Sequence, residues 1–214
     1  MVMAVHSLFV ARPNKLAPAP NGTPSIPPNG SNVLEVRMFN VGKGEAVLIT
    51  FPPRRAWLID GGATNGDPKN RILGEKLLAY LKSNDLKLEG LVASHPHKDH
   101  VGAVFYLLQK KPKLASKLLY FYTWDYPPSK PKREWLTNLE SQLIQLGKKV
   151  EMVDMRDKHR EVLISNRAQI HLFAGSGEGA YTSIFMHVHF KDAAFFFSGD
   201  AECGYEKDLL DSHV

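Results

Sequence analysis

The segment spanning residues 94–102 constrains the fold of this chain more than any other stretch. It reads Ser-His-Pro-His-Lys-Asp-His-Val-Gly and directly follows the apolar run Leu-Val-Ala at 91–93. It contains four ligand-type side chains, His95, His97, Asp99 and His100. Neutral imidazoles and carboxylates are the ligands that borderline divalent metals such as zinc accept. The segment therefore predicts a metal site at the end of a buried strand, in preference to a chance cluster of polar loop residues.

The spacing of these side chains predicts two metal ions. On an extended chain, residues two apart point to the same side, so we expect His95 and His97 to share one ion. Asp99 and His100 stand on the turn that we expect to follow, and from there they would reach a second ion.

The bulk composition is that of an ordinary folded protein. The 214 residues are 43% hydrophobic and 23% charged, which suits one domain with a sizeable core. The single cysteine, Cys203, excludes an internal disulfide, and we expect a cytoplasmic protein without a membrane span. A net charge of +5 favours anionic partners only mildly.

The composition changes sharply before residue 33. Six prolines lie between residues 13 and 28, among Gly, Asn and Ser. Proline at this density blocks helix formation and strand pairing, and the segment carries little apolar surface to bury. We therefore predict a disordered arm or linker over 1–32 and a folded domain over 33–214.

Apolar periodicity within 33–214 predicts alternating strands and helices. The predicted strands are 33–38, 46–49, 57–60, 91–93, 118–122, 149–153, 168–173, 182–190 and 194–197. The predicted helices are 70–83, 103–108, 134–146 and 202–210. The first three strands should form an antiparallel meander, and the later alternation favours an α/β layer architecture.

The pattern His-x-His-x-Asp-His after a short apolar strand resembles the signature of the metallo-β-lactamase fold superfamily. This resemblance implies an α/β (α+β) fold, a four-layer αββα sandwich with metals on loops at its edge. The turn at 40–45 and Asp60-Gly61-Gly62 resemble one branch, the hydrolase domain of bacterial DNA-uptake (competence) proteins and its free-standing relatives. Glu45 stands where that branch usually has Asp.

Two aspartates outside the histidine segment are further candidates. Asp200 follows the last predicted strand and a glycine, and the resemblance implies that it bridges the metals. Alternatively, Asp200 caps the helix 202–210. Asp60 would either orient a ligand histidine or simply end its strand in a turn.

The chain departs from the family pattern in two places. The loop 177–182 lacks the histidine that most members use as a third ligand, and Ala180 replaces the Asn common in the competence branch. The nearby His171, His187 and His189 we interpret as packed or surface imidazoles.

The second departure concerns the C-terminus. The branch supplies a final histidine within His-His-Gly-Ser, which does not occur before Val214, and His213 does not match it. We therefore expect a C-terminally truncated or shortened sandwich. Its open sheet edge would be covered by a homodimer partner or by a missing C-terminal segment.

The resemblance implies a metal-dependent hydrolase with two divalent ions, zinc or else manganese, and a metal-bridging hydroxide as nucleophile. Asp99 would orient that nucleophile and is the predicted catalytic residue. The branch, the net charge and the basic segment 125–133 favour phosphodiester substrates, as in a nuclease or phosphodiesterase. A small-molecule ester, lactone or β-lactam remains an alternative substrate, and so does a degenerate member that only binds metal or nucleic acid.

Overall fold

The computed structural model describes residues 33–63, 67–95, 97–110, 120–123, 141, 145, 151–154, 159–165, 167–174 and 183–200. Its elements are β1 (Glu35–Met38), β2 (Val47–Phe51), β3 (Arg55–Ile59), α1 (Asp67–Ser83), β4 (Lys87–Ala93), α2 (Lys98–Lys110), β5 (Tyr120–Thr123), β6 (Glu151–Asp154), β7 (His159–Ser165), β8 (Ala168–Ala174), β9 (Ile184–Phe190) and β10 (Ala193–Phe197).

Several predictions concern segments outside the described residues. These are the arm 1–32, the basic segment 125–133, the loop 177–182 and the helix 202–210. Of the predicted helix 134–146, only Ser141 and Gln145 are described, and both are helical.

The strands form two sheets. The first has six strands in the order β1-β2-β3-β4-β5-β6, and the second has four in the order β10-β9-β8-β7. Strands β1 to β3 form the predicted antiparallel meander, whereas β3 to β6 are parallel neighbours. The second sheet is antiparallel throughout.

Alternation of apolar residues buries both faces of the first sheet. Leu48 and Leu58 belong to the core that this sheet shares with α1 and α2. Ile49 and Trp57, one position away on the same strands, belong to the core shared with the second sheet. The described residues thus stack helices, sheet and sheet, which confirms the predicted α/β sandwich class. The second helical layer of that prediction involves segments outside the described residues.

One predicted boundary is wrong, and one strand was missed. Helix α2 begins at Lys98 and not at residue 103, because the polar residues of the histidine segment form its first turn, where Asp99 also suits the positive end of the helix dipole. Strand β7 was not predicted at all. It buries only Val162 and Ile164, so its hydrophobic pattern is weak.

Three strand ends meet at one edge of the sandwich. The Asp60 N–H, just after β3, donates to Val92 O in β4 (2.8 Å), and the Ile184 N–H at the start of β9 donates to Ser94 O (2.9 Å). Asp200 follows β10, which pairs with β9. Among the described helices, neither has the length and apolar character needed to cross a bilayer.

Candidate metal centre

Asp60 is fully buried at this edge of the sandwich and contacts both Ser94 and His100. Its backbone has φ of 53°, a left-handed conformation that aspartate tolerates better than most residues. Its Oδ1 accepts the Ser94 N–H (2.7 Å), and its Oδ2 accepts the Ser94 hydroxyl (2.6 Å) and lies 2.7 Å from His100 Nδ1. These contacts satisfy a carboxylate that is completely shielded from solvent.

Asp60 and Ser94 together orient two histidine rings. His100 Nδ1 contacts Asp60 directly, and His95 Nδ1 lies 3.1 Å from the Ser94 hydroxyl. Both rings are almost completely buried. With each Nδ1 occupied on the Asp60 side, Nε2 is the nitrogen that each ring presents on its other side.

The carboxylate of Asp200 lies at those two Nε2 atoms. Its Oδ1 is 3.2 Å from His100 Nε2, and its Oδ2 is 3.5 Å from His95 Nε2. The Asp200 side chain is 49% exposed, whereas those of both histidines are 2% exposed. One carboxylate oxygen thus faces each buried imidazole, and the cluster opens to solvent at Asp200.

The turn that carries Asp200 fits tightly against Ser94. Gly199 has φ of 57°, and a Cβ at this position would lie 2.9 Å from both the Cβ and the Oγ of Ser94. The Asp200 N–H donates to the Ser183 hydroxyl (3.2 Å). A glycine is therefore needed here for Asp200 to reach the histidines.

Ligand-type atoms in this region form two groups of three. The first group is His95, His97 and Asp200, and the second is Glu45, Asp60 and His100. Within each group the atoms lie within 4.8 Å of one another. Because Asp60 is already saturated by Ser94 and His100, we interpret it as an orienting residue and the first group, with His100 Nε2, as the metal-binding set.

The electrostatics of the cluster suit a cation. Burial, reinforced by the charge of His100, lowers the pKa of His95 to about 4, so His95 is neutral at pH 7. Its buried Nε2 has no hydrogen-bond partner within the described part of the chain. A neutral imidazole with an unused nitrogen is the form that binds metal.

His100 carries the positive charge of the metal-free cluster. Burial opposes that charge, but Asp60 and Asp200 outweigh it and raise the pKa of His100 to about 11. The hydrogen bond from His100 in turn lowers the pKa of Asp200 to about 2. A metal ion bound at His100 Nε2 would replace this proton, so the donor set fits a divalent metal.

The sequence model of the metallo-β-lactamase superfamily matches residues 40–133. This stretch contains Glu45, Asp60 and the whole histidine segment. Over these residues the chain is similar to the metallo-β-lactamase superfamily. This similarity agrees with the predicted class of metal-dependent hydrolases, whereas the resemblance to the competence branch stays a prediction.

Two solved structures illustrate how distant the similar proteins are. Human tRNase Z, short form, is 13% identical with a TM-score of 0.47, and the match covers 78% of this chain and 67% of that one. A diphosphatase from the PhnP family is 16% identical with a TM-score of 0.41, covering 77% of this chain and 56% of that one. At such TM-scores neither likeness supports a function. None of the curated proteins compared matches this chain.

Asp99 is the predicted catalytic residue, and its role is not settled by the two groups of ligand-type atoms. Among the described residues it joins neither group of ligand-type atoms. Because α2 already includes residues 98–100, Asp99 and His100 point about 100° apart around the helix. His100 faces Asp60 and Asp200, so Asp99 does not share that direction, and its role stays a prediction.

Sequence analysis assigned no role to Glu45 or Ser94. Burial, together with the charges of Asp60 and Asp200, raises the pKa of Glu45 to about 8 although His100 opposes this. Two features of the sequence could have indicated these residues. Ser94 immediately precedes His95, and Glu45 is a carboxylate at a position where the competence branch usually has Asp.

Proposed function

We propose that this chain is a metal-dependent hydrolase of phosphodiesters, with divalent ions held by His95, His97, His100 and Asp200. One observation carries the proposal: the buried Nε2 atoms of His95 and His100 lie opposite the two carboxylate oxygens of Asp200, 3.5 and 3.2 Å away. Such an alignment suits a carboxylate that bridges two ions.

Bound divalent ions would supply Lewis acidity and a water activated near neutral pH. The residues of the chain supply the positioning. Asp60 holds the Nδ1 atoms of His95 and His100 directly or through Ser94, which keeps both Nε2 atoms directed at the ion site. Asp99 is proposed, from the family resemblance alone, to orient the attacking water.

Phosphodiester substrates are favoured by charge. The chain carries 27 Lys and Arg against 22 Asp and Glu, for a net +5 and a pI of about 9.2. A positively charged protein attracts anionic substrates more strongly than neutral esters or lactones. The half-exposed Asp200 leaves the cluster open on the side from which such a substrate would enter.

The proposal is tested by comparing substrates with and without metal. We expect the purified chain, loaded with Zn²⁺ or Mn²⁺, to hydrolyse bis(p-nitrophenyl) phosphate faster than p-nitrophenyl acetate or a simple lactone. Asp200→Asn should lower this activity by at least about 100-fold. Loss of a metal ligand should cost at least as much as loss of an outer-shell partner, for which about 100-fold is the upper range. Glu75→Gln, an exposed carboxylate on α1, should leave the activity unchanged.

Two results would overturn this assignment. Faster hydrolysis of the ester or lactone would support a carboxyl-ester hydrolase on the same site. Metal binding without turnover of any of these substrates would support the non-catalytic alternative.

A further inference from the structure

Four histidines lie on one face of the second sheet, and none of them belongs to the candidate metal centre described above. His187 and His189 are two apart on β9 and therefore point to the same side. His171 on β8 is the direct cross-strand partner of His187, and His159 lies on the neighbouring strand β7. The intervening Val188 belongs to the core between the sheets, so these imidazoles lie on the opposite, outer face.

Three of these rings cluster on this face, although among the described residues their nitrogens do not form a ready ligand group like those around Asp200 and Asp60. The ring centroids of His171 and His189 are 5.5 Å apart, those of His171 and His187 6.2 Å, and those of His187 and His189 4.1 Å. Nitrogens bound 2.0–2.1 Å from a tetrahedral zinc ion are roughly 3.3 Å apart, which places ring centroids about 5 Å apart. Side-chain rotations that move the His187 ring away from His189 and towards His171 would be needed to reach this spacing.

His159 is placed to orient the central ring. Its Nε2 lies 3.1 Å from Nδ1 of His171. In the tautomer in which His171 Nδ1–H donates to His159, the lone pair of His171 is on Nε2. A ligand histidine commonly donates its other ring N–H to such a partner, which fixes both the tautomer and the ring orientation.

Burial on this face favours the neutral form of two of these rings, His171 and His187. Burial, with the neighbouring His189 and His171, lowers the pKa of His187 to about 4, and burial also lowers the pKa of His171. Protonated imidazoles this close together would repel one another, which favours the neutral form. Neutral imidazole is the form that binds metal.

We propose that His171, His187 and His189 form a second, independent transition-metal site on the outer face of the second sheet. Three imidazoles on one face leave a fourth coordination position for water, and this donor set suits Zn²⁺ or Cu²⁺ better than Mg²⁺ or Ca²⁺. The site does not depend on the proposed hydrolase function, because it shares no residue with the cluster around Asp200.

The test removes one cluster at a time and measures metal content. In a His97→Ala/Asp200→Asn background, we expect about one Zn²⁺ per chain to remain after equilibrium dialysis against ZnCl₂. Adding His187→Gln/His189→Gln should abolish this residual binding. Co²⁺ absorption should show the same loss, as a readout independent of any enzymatic activity.

The control is Gln169→Ala, which alters the cross-strand neighbour of His189 without removing an imidazole. It should retain the residual ion. His159→Gln should weaken binding by about tenfold, because it removes only the orienting partner. If His187→Gln/His189→Gln fails to fold by far-UV circular dichroism, His171→Gln in the same background replaces it, with the same expected loss. A folded background variant that binds no zinc, or residual zinc that survives loss of these histidines, would overturn the proposal.

Discussion

At the scale of single residues, Asp60 is the side chain that positions the other groups of the candidate metal centre. It is fully buried and accepts hydrogen bonds from both polar groups of Ser94 while it contacts His100. A buried carboxylate is costly unless such partners satisfy it. Its two oxygens therefore stabilise the end of β4 and set the direction of two imidazoles at the same time.

Asp60→Asn should weaken metal binding by about 10- to 100-fold, the usual cost of losing an outer-shell partner of a ligand histidine. Asparagine tolerates the left-handed backbone, and its carbonyl can still accept the Ser94 N–H. Its amide NH₂ would face His100 Nδ1 and favour a proton on Nε2, the nitrogen needed by the ion. Affinity measured by competition with a chromogenic chelator checks this.

Asp85→Asn is the matched control for that change. Asp85 also has a left-handed backbone, with φ of 50°, but its side chain is 87% exposed. Equal metal affinities of the Asp60 and Asp85 variants would refute the orienting role of Asp60.

Gly62→Ala should destabilise the chain and reduce metal binding together. A Cβ at Gly62 would lie 2.1 Å from the carbonyl carbon of Asp99 and 2.3 Å from His100 N. These are backbone atoms of the first turn of α2, so the turn that carries His100 must move. Overpacking of this kind costs about 1–3 kcal/mol, which denaturant unfolding would measure.

Gly74→Ala separates packing from site geometry. Its Cβ would meet the ring of Tyr106, 2.6 Å away, between α1 and α2. This variant should change stability but leave metal affinity unaltered. If Gly62→Ala bound metal as tightly as Gly74→Ala does, the first turn of α2 would not be part of the site.

At the scale of elements, the position of a polar residue in a strand or helix decides which site it joins. His187 and His189 alternate with core residues on β9, so they face away from the sandwich interior. His100 reaches the candidate metal centre because α2 begins at Lys98. The alternation of β9 was evident from the sequence. The early start of α2 was not, because the ligand-type residues in its first turn resemble a polar loop.

His187 should make the metal-free chain less stable in acid. In the unfolded chain it binds a proton near its ordinary pKa of 6.5, whereas the folded pKa is about 4. Between these values the unfolded state binds more protons, so stability falls as pH decreases from about 6.5 to 4 and is fully retained above 6.5. Because His187 is only partly buried, the effect should be modest.

Denaturant unfolding at pH 7, 5.5 and 4.5 in the presence of chelator would measure this dependence. His187→Gln should reduce the slope over this range without abolishing it, because the pKa of His95 is also lowered to about 4. Gln169→Ala should reproduce the wild-type slope. Parallel curves for wild type and His187→Gln would show that the fold does not suppress protonation of this ring.

At the scale of the whole molecule, the candidate metal centre depends on segments that are distant in sequence and meet at one edge of the sandwich. Residues after β3, β4 and β10 contribute, together with the first turn of α2. Local periodicity predicted most of these strands. It could not predict that their ends lie close together, because that depends on tertiary packing. The expectation that Asp200 would lie near the histidines came from resemblance to a family, since no local pattern relates residues so far apart.

The hydrogen-bond partners of Ser94 and Glu45 could not be predicted from the sequence for a similar reason. Their partners, Asp60 and the first turn of α2, are neighbours only after the sheet and helix have packed. Strand β7 was missed because an edge strand with few buried residues has little hydrophobic signal.

The central claim is that His95, His97, His100 and Asp200 hold divalent metal. The most direct measurement is the number of zinc ions bound per folded chain in His187→Gln/His189→Gln, where two of the three proposed outer-face ligands are removed. We predict about two ions per chain, falling below one when Asp200→Asn is added. Fewer than one tightly bound ion before Asp200 is changed, or the same number afterwards, would contradict this account.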